Sequence, residues 1–296
     1  MATVPPSAQV PFDADGSVDL LAREAPKLTR IGVRPRPFAY LARVWRYRSF
    51  TSELIQAELR QRTSRDVLGA LWYVLSPILQ SIVYYIVFVI LLNTTNVPNP
   101  VFFLSAGVFT FAFTSRSLVS SAKSINASIT LVRSLRFPRM VMPLSAVGVE
   151  TYLLVPTFGV LTLIALGTGI RPSAWWLLVP VVLALQTGMI LGIGLLLARF
   201  ATVANDVVQA MPFMLRLWLY LSGVFYSFSH IDSSKHPLFA KLLFLNPMRA
   251  YIELIRDAYN GIPSPLGDWE VAIGWPIVLL LIGFVYFWRA EDSYGR

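Results

Sequence analysis

The sequence predicts an all-α integral membrane protein with six transmembrane helices, an amphipathic interfacial helix before the first, and two short re-entrant or interfacial helices before the last. No charged residue occurs between Asp66 and Arg116, a stretch of 49 residues. Each half of this stretch, on either side of a polar break at 93–100, is long enough to cross about 30 Å of hydrocarbon. Only 14% of the chain is charged, whereas soluble domains are about 25% charged. These observations exclude a soluble globular protein.

Six apolar segments are predicted to cross the membrane, at about 68–92, 101–121, 141–167, 175–198, 207–228 and 271–288. Cytoplasmic loops of membrane proteins carry an excess of Lys and Arg. With the N-terminus in the cytoplasm, eighteen Lys and Arg residues lie inside and five lie outside. We therefore expect both termini to be cytoplasmic. The net charge of +9 follows this membrane topology, so nucleic acid is not an expected partner.

The N-terminal part of the chain divides at about residue 50. Residues 1–50 are rich in Pro and in charge, and they are predicted to be a flexible cytoplasmic segment. The transmembrane domain is predicted over 51–296, beginning with a helix at 51–67 that carries Leu54, Ile55 and Leu59 on one side. This helix either lies in the cytoplasmic membrane interface or is a solvated juxtamembrane helix. Its direct continuation into the first span favours the interface.

The outer loop at 229–270 is long and strongly apolar, and it is predicted to contain two short helices within 238–260. Asn246 is a predicted N-cap, Pro247 the first helical residue and Gly261 the C-terminal stop. Neither helix is long enough to cross the bilayer. They either dip into the outer leaflet and return, or lie flat on the outer surface. The outer-helix set comprises Asn246, Pro247, Arg249, Glu253 and Arg256, with Arg249 and Glu253 spaced i,i+4 and Glu253 and Arg256 spaced i,i+3.

Enzymatic signatures are missing from the sequence. It contains no Cys, no P-loop motif, and only two His residues, both in one loop. We therefore predict no catalytic residue, no metal site and no cofactor in this chain. The spans contain one acidic residue, Glu150, and two basic ones, Arg116 and Arg216. Because an ionised group in the membrane needs a partner, Glu150 is expected to pair with Arg116 or Arg216, or else these residues line a polar path.

Aromatic side chains are abundant in the spans, and two groups recur at helical spacing. Tyr73, Gln80 and Tyr84 form one group, and Arg216 and Tyr220 belong to the other. Rings of this kind either pack the bundle or offer faces along which a hydrated glycan can slide. The predicted substrate path comprises Tyr73, Gln80, Tyr84, Phe88, Arg116, Arg216, Tyr220 and Tyr226. Gly188 and Gly192 are spaced to permit close helix contact, within one subunit or between two.

The inner loop at 122–140 combines a short apolar run with three Arg residues and a Phe-Pro stop. This pattern suits a small helix that docks into a groove on a cytosolic partner. An ordinary basic loop that obeys the membrane topology is the alternative.

Three segments, in order, together with the six-span layout, carry a resemblance to a known family. They are ELRQRTSRDVLGALWYVLSPI at 58–78, LVRSLRFPRMVMPLS at 131–145 and LNPMRAYIELIRDAYNG at 245–261. The chain from about residue 50 to 296 resembles the permease subunit of ABC-2 type exporters, in the branch that moves O-antigen, teichoic acid, capsule or galactan. The Pro-rich head before residue 40 is not part of the shared pattern.

The resemblance implies a homodimer in a bacterial plasma membrane, with two separate nucleotide-binding ATPase subunits docked on its cytoplasmic side. ATP and Mg would bind to those partners, and the substrate would be a lipid-linked polysaccharide. The helix at 51–66 and the loop helix at 129–137 would contact the ATPase. The docking set comprises Arg60, Arg62, Ile129, Leu131, Arg133, Arg136, Phe137 and Arg139. The rival hypotheses are a drug or small-lipid exporter, a membrane enzyme that modifies glycans, and a passive scramblase.

Overall fold

The computed structural model describes residues 36–64, 71–91, 98–135, 137–204, 206–226 and 237–291. Within these ranges every regular element is helical, as predicted. The α-helices are α1 (Pro37–Arg46), α2 (Arg48–Ser64), α3 (Leu71–Tyr85), α4 (Pro100–Ala127), α5 (Ile129–Ser134), α6 (Val141–Gly167), α7 (Leu178–Val203), α8 (Asp206–Leu221), α9 (Pro237–Phe244), α10 (Pro247–Asn260) and α11 (Leu266–Arg289). A π-helix, Ile86–Leu91, continues α3, and a 3-10 helix, Ala174–Leu177, precedes α7.

Five helical segments are long and apolar enough to cross a membrane: Leu71–Leu91, Pro100–Ala127, Val141–Gly167, Ala174–Val203 and Leu266–Arg289. They correspond to five of the six predicted spans. The remaining span, predicted at 207–228, is represented by α8, which has 16 residues and ends at Leu221. At 1.5 Å per residue, α8 extends about 24 Å, which is less than the hydrocarbon thickness. The count of six spans therefore stays a prediction.

The N-terminal region differs from the prediction of a flexible segment over 1–50. Residues 1–35 lie outside the described residues, but α1 begins at Pro37 and α2 begins at Arg48. Pro occupies the first helical position of α1, where its missing N–H costs no hydrogen bond. Tyr40 and Val44 are both buried and are spaced i,i+4, so that one side of α1 packs against the protein.

Helix α2 packs against the spans through its apolar side. A Cβ atom at Gly148 in α6 would lie only 2.5 Å from Cδ1 of Ile55. Gly148 therefore leaves the space that Ile55 fills, and a larger residue there would push the end of the Ile55 side chain aside. The contact joins the predicted interfacial helix directly to a membrane span.

The core of the bundle is formed around α4, which packs on α6 and α7, while α7 also packs along α11. A Cβ atom at Gly283 in α11 would lie 2.3 Å from the carbonyl oxygen of Gly192 in α7. This close backbone approach is the contact within one subunit that the Gly188–Gly192 spacing permits. In contrast, the span formed by α3 and its π-helical continuation is the least buried of the five candidate spans, and it exposes large apolar side chains such as Ile82 and Ile90.

Candidate functional site

Glu150 in α6 is the centre of a buried ion-pair network. Only 3% of Glu150 is exposed. Its Oε1 accepts a hydrogen bond of 2.7 Å from Nη1 of Arg62 in α2, and Nε of Arg116 in α4 lies 3.6 Å from its Oε2. The predicted pairing of Glu150 with Arg116 is thus confirmed. Arg216 is not among the ion-pair partners that Glu150 has in the described residues, and Arg62 is a partner that the sequence did not reveal.

Tyr73 connects the two arginines of this network. Its hydroxyl accepts a 3.3 Å hydrogen bond from Arg62, and its main-chain oxygen accepts a 3.0 Å bond from Arg116. The two guanidinium carbons lie 5.7 and 5.9 Å from the ring centroid, within the range of cation–π attraction. Two cations and an aromatic ring therefore converge on one carboxylate.

Arg62 also bonds Glu58, one turn earlier on α2, with its Nε 2.9 Å from Oε1. Burial by itself lowers the pKa of Arg62, but the hydrogen bonds to Glu150 and Glu58 outweigh burial and raise that pKa overall. Arg62 is therefore charged at every physiological pH. Its guanidinium makes these contacts within the subunit, and contact of Arg62 with an ATPase stays a prediction.

The ion-pair network lines a cavity of about 550 Å³, here called the inner cavity, between α2, α4 and α6. Its wall is polar, because Glu58, Arg62, Arg116, Lys123 and Glu150 are accompanied by five serines: Ser115, Ser120, Ser124, Ser128 and Ser145. Under the predicted topology this cavity lies at the cytoplasmic ends of α4 and α6.

A second cavity, here called the middle cavity, has a volume of about 370 Å³ and lies between α3, α4 and α8. Five of the eight residues predicted to form the substrate path line it: Gln80, Tyr84, Arg116, Arg216 and Tyr220. Among the described residues that line it, none is acidic. The Nε2 of Gln80 donates a 3.1 Å hydrogen bond to the Tyr84 hydroxyl. Gln80 and Tyr84 of one spaced group and Arg216 and Tyr220 of the other thus line one cavity, whereas Tyr73 lines the inner cavity. Their role as a substrate path stays a prediction.

The inner and middle cavities adjoin. Both are lined by Ser115, Arg116 and Val119 on α4. Arg116 therefore stands where the two spaces meet, and its guanidinium is held there by Glu150 and by the main-chain oxygen of Tyr73.

An aromatic cluster adjoins the middle cavity. The rings of Phe88 and Phe225 stack with centroids 4.6 Å apart, and Tyr84 meets Phe225 edge-on at 4.7 Å. Tyr220 lies 5.5 Å from the same ring. Phe225 was one aromatic residue among many in the sequence, and nothing in its spacing marked it as the centre of this cluster. Tyr226, also predicted in the path, follows it in the chain.

The remaining docking residues have different surroundings. Arg60 is exposed on α2, and Ile129 and Leu131 are half-buried on α5. Arg136 lies outside the described residues, as does the side chain of Arg133. For Arg60, Ile129 and Leu131, contact with an ATPase stays a prediction.

Phe137 and Arg139 make contacts within the subunit. The ring of Phe137 lies 5.3 Å from that of Phe50 in α2. The main-chain N–H of Arg139 donates a 3.0 Å hydrogen bond to Oε1 of Glu291, and its guanidinium bonds the Glu291 main-chain oxygen. Arg139 thus secures the inner loop to the end of α11, so a change at this residue would disturb the fold as well as any docking.

The predicted capping of the outer helix is confirmed. Oδ1 of Asn246 accepts a 3.1 Å hydrogen bond from the Met248 N–H, Pro247 opens α10, and Gly261 ends it with φ +70°. Both alternatives for α10, re-entry into the outer leaflet and a flat position on the outer surface, stay predictions. The residues of α10 are buried on nearly all sides, because this helix packs against α4, α7 and α11.

Arg256 in α10 is only 3% exposed and connects three segments of the protein. Its guanidinium donates hydrogen bonds of 3.0 Å to the main-chain oxygens of Phe103, Gly223 and Val224. The predicted i,i+3 pair with Glu253 is also confirmed, at 3.0 Å. Burial lowers the pKa of Arg256 to about 10, so it remains charged at neutral pH. These bonds hold the turn that follows α8 against the start of α4.

Arg249 forms a buried ion pair with Asp268 in α11. Its predicted i,i+4 neighbour was Glu253, whereas this partner lies 19 residues away. Burial raises the pKa of the nearby Asp257 to about 6. Charged groups on α10 thus connect it to the neighbouring helices, a role that local spacing on one helix does not reveal.

Comparison with known proteins agrees with the resemblance seen in the sequence. The family model of the ABC-2 type transporter matches residues 51–260. The O-antigen export system permease protein RfbA of Myxococcus xanthus is 30% identical over 206 residues, which cover 69% of this chain and 78% of that protein. Two such permease proteins from Klebsiella pneumoniae are each 26% identical over 69% of this chain and 78% of their own length.

Proposed function

Because the chain belongs to the ABC-2 type transporter family, we propose that it is the transmembrane subunit of an ATP-driven exporter that moves a lipid-linked polysaccharide out of the cytoplasm. The names of the relatives, O-antigen export system permease proteins, support a polysaccharide substrate. ATP would be hydrolysed by a separate subunit, since this sequence contains no P-loop to cradle phosphates.

The observation that carries this proposal is the lining of the middle cavity. Gln80 and Tyr84 from α3 face Arg216 and Tyr220 from α8 across it. Hydroxyl, amide and guanidinium groups exchange hydrogen bonds with sugar hydroxyls, while ring faces receive the C–H faces of sugars. A sliding chain needs many such weak contacts, and this wall offers them within an otherwise apolar bundle.

The resemblance to ABC-2 permeases implies a homodimer, and the middle cavity, which α3 and α8 line, suggests which faces would meet. Large apolar side chains on both helices are exposed in the single subunit, among them Ile82 on α3 and Leu217 on α8. Both helices also line the middle cavity. A second copy packed against these faces would enclose the cavity and complete a path between the two subunits.

ATPase movement would reach the path through α2. This helix carries the exposed Arg60 on one side and packs on Gly148 through Ile55. Arg62 then connects α2 to Glu150, whose second oxygen lies near Arg116 at the junction of the cavities. Displacement of α2 by a docked ATPase would therefore shift Arg116 relative to the path. In this arrangement both termini are cytoplasmic and the subunit resides in a bacterial plasma membrane.

Removing the rings that face the middle cavity should slow export. For the double variant Tyr84→Ala and Tyr220→Ala, we expect glycan flux to fall by roughly 30-fold, since aromatic contacts contribute about 1 kcal/mol each. Flux is measured in cells or liposomes that also contain the ATPase, with assembly of the complex checked by co-purification. The matched control is Tyr152→Ala, which removes an exposed ring of α6 that is not among the residues lining either cavity. Unchanged flux in the double variant would show that both tyrosines only pack the bundle.

A further inference from the structure

Helix α1 presents three different faces. Tyr40 and Val44 pack against the protein and are 1% and 9% exposed. Phe38, Leu41 and Trp45, spaced i, i+3 and i+7 on one side of the helix, are 85%, 42% and 71% exposed. The third face is basic, because the side chains of Arg43 and Arg46 are exposed. The exposed apolar face is best covered by hydrocarbon, and the basic face beside it is best paired with negative charge.

The position of α1 is fixed by Tyr40 at the end of the last span. The Tyr40 hydroxyl donates a 2.7 Å hydrogen bond to Oε2 of Glu291, which follows the last residues of α11. The Tyr40 ring also lies 6.3 Å from that of Phe284 within α11. Exposed apolar side chains on α11 continue as far as Tyr286, which is 38% exposed. The exposed apolar side of α11 thus ends close to the residues where α1 is attached, and under the predicted topology this would place α1 near the cytoplasmic lipid headgroups.

We propose that α1 is a lipid-binding helix that inserts Phe38, Leu41 and Trp45 into the leaflet at the C-terminal end of α11, while Arg43 and Arg46 bind anionic headgroups. Trp is enriched at membrane interfaces, where its ring is apolar and its N–H reaches water. Arg beside an apolar face adds electrostatic attraction to anionic lipids. The guanidinium of Arg48 lies 5.7 Å from the Trp45 ring, which places a third cation at the same level. This site lies outside the residues 51–260 that define the family match, and it does not depend on which substrate is exported.

Lipid is favoured over a protein partner by the depth and the charge of α1. A soluble ATPase would have to reach the headgroup layer beside α11 to cover Trp45, whereas lipid is already there. If a protein covered this face instead, the labelling experiment below would detect it.

The chain contains no Cys, so a single nitroxide label reports one position in the full-length protein. Leu41→Cys places the label on the apolar face, and the matched control Ala39→Cys places it on the basic side, where Ala39 is exposed. Each labelled protein is reconstituted in nanodiscs containing phosphatidylglycerol or only phosphatidylcholine. We expect the label at 41 to collide more with oxygen than with a water-soluble nickel chelate in anionic nanodiscs, and the label at 39 to show the opposite order. If Leu41→Cys does not fold, Phe38→Cys replaces it, since an 85% exposed side chain contributes little packing.

The basic face is tested by the double variant Arg43→Gln and Arg46→Gln in the background of the label at 41. Because each such cation contributes about a fivefold factor near an anionic surface, loss of both should lower the membrane-insertion equilibrium of α1 in phosphatidylglycerol nanodiscs about 25-fold, measured as a smaller oxygen preference of the label at 41. An equal oxygen preference in neutral and anionic nanodiscs would reject headgroup binding. A label at 41 that stays accessible to the nickel chelate in lipid, and loses that accessibility only when the ATPase is added, would identify α1 as a protein-docking surface and overturn the proposal.

Discussion

Glu150→Gln should destabilise the subunit by about 3 kcal/mol, because it removes the charge that two partly buried guanidinium groups share. The side chains of Arg62 and Arg116 are 21% and 24% exposed, against 3% for Glu150. Once the carboxylate is gone, water can therefore solvate the two guanidinium charges only in part. Thermal unfolding of the purified subunit in detergent measures the effect, and we expect the apparent Tm to fall by roughly 6–12 °C.

Glu58→Gln is the matched control for this change. Glu58 bonds the same arginine at 2.9 Å, but 46% of its side chain is exposed, so its loss should cost about 0.5 kcal/mol or less. Adding Arg62→Gln to Glu150→Gln should restore part of the stability, with a coupling of about 1–3 kcal/mol in the double-mutant cycle. Equal Tm values for Glu150→Gln and Glu58→Gln would show that the buried network does not stabilise the fold.

Arg256→Lys should cost about 2–5 kcal/mol, although it keeps the charge. The guanidinium bonds main-chain oxygens of Phe103, Gly223 and Val224, and it also bonds Glu253. A lysine ammonium cannot reproduce this planar fork, and each carbonyl left unpaired in the interior costs about 1–3 kcal/mol. We expect a lower apparent Tm together with faster proteolysis after α8, because the turn at Gly223 would lose its support.

Glu253→Gln separates the carbonyl contacts of Arg256 from its ion pair. Glu253 is 20% exposed, and its amide variant leaves all three main-chain bonds of Arg256 in place. We expect a loss of about 1 kcal/mol. If Arg256→Lys proved as mild as Glu253→Gln, the carbonyl bonds would contribute little and another contact would hold the turn after α8.

Local signals were sufficient for several elements. Runs of apolar residues longer than about 20 located five helices that can span a membrane, since the hydrocarbon thickness fixes their length. Asn246, Pro247 and Gly261 marked both ends of α10, because caps depend on residues within one turn. Spacing on α3 and α8 grouped Gln80 with Tyr84 and Arg216 with Tyr220, and all four side chains line the middle cavity.

Contacts between distant segments were beyond these signals. Arg62 and Glu150 are 88 residues apart, and a basic residue on an amphipathic helix is equally suited to solvent, to lipid or to a partner. The apolar face of α10 suggested a membrane surface, whereas neighbouring helices cover it, because apolar side chains do not specify whether lipid or protein surrounds them. Helix α8 ends at Leu221, and the carbonyls just beyond it are bonded by Arg256, which the sequence places in another loop.

Export and ATP hydrolysis in reconstituted liposomes test most directly whether this chain forms a path whose movements are powered by another subunit. The purified chain is inserted with and without its ATPase partner, and transfer of a labelled lipid-linked polysaccharide is followed together with ATP consumption. We predict that both activities require the two proteins together and that the chain alone shows neither. Hydrolysis of ATP by the chain alone, or glycan transfer at the same rate without the ATPase, would contradict this division of roles.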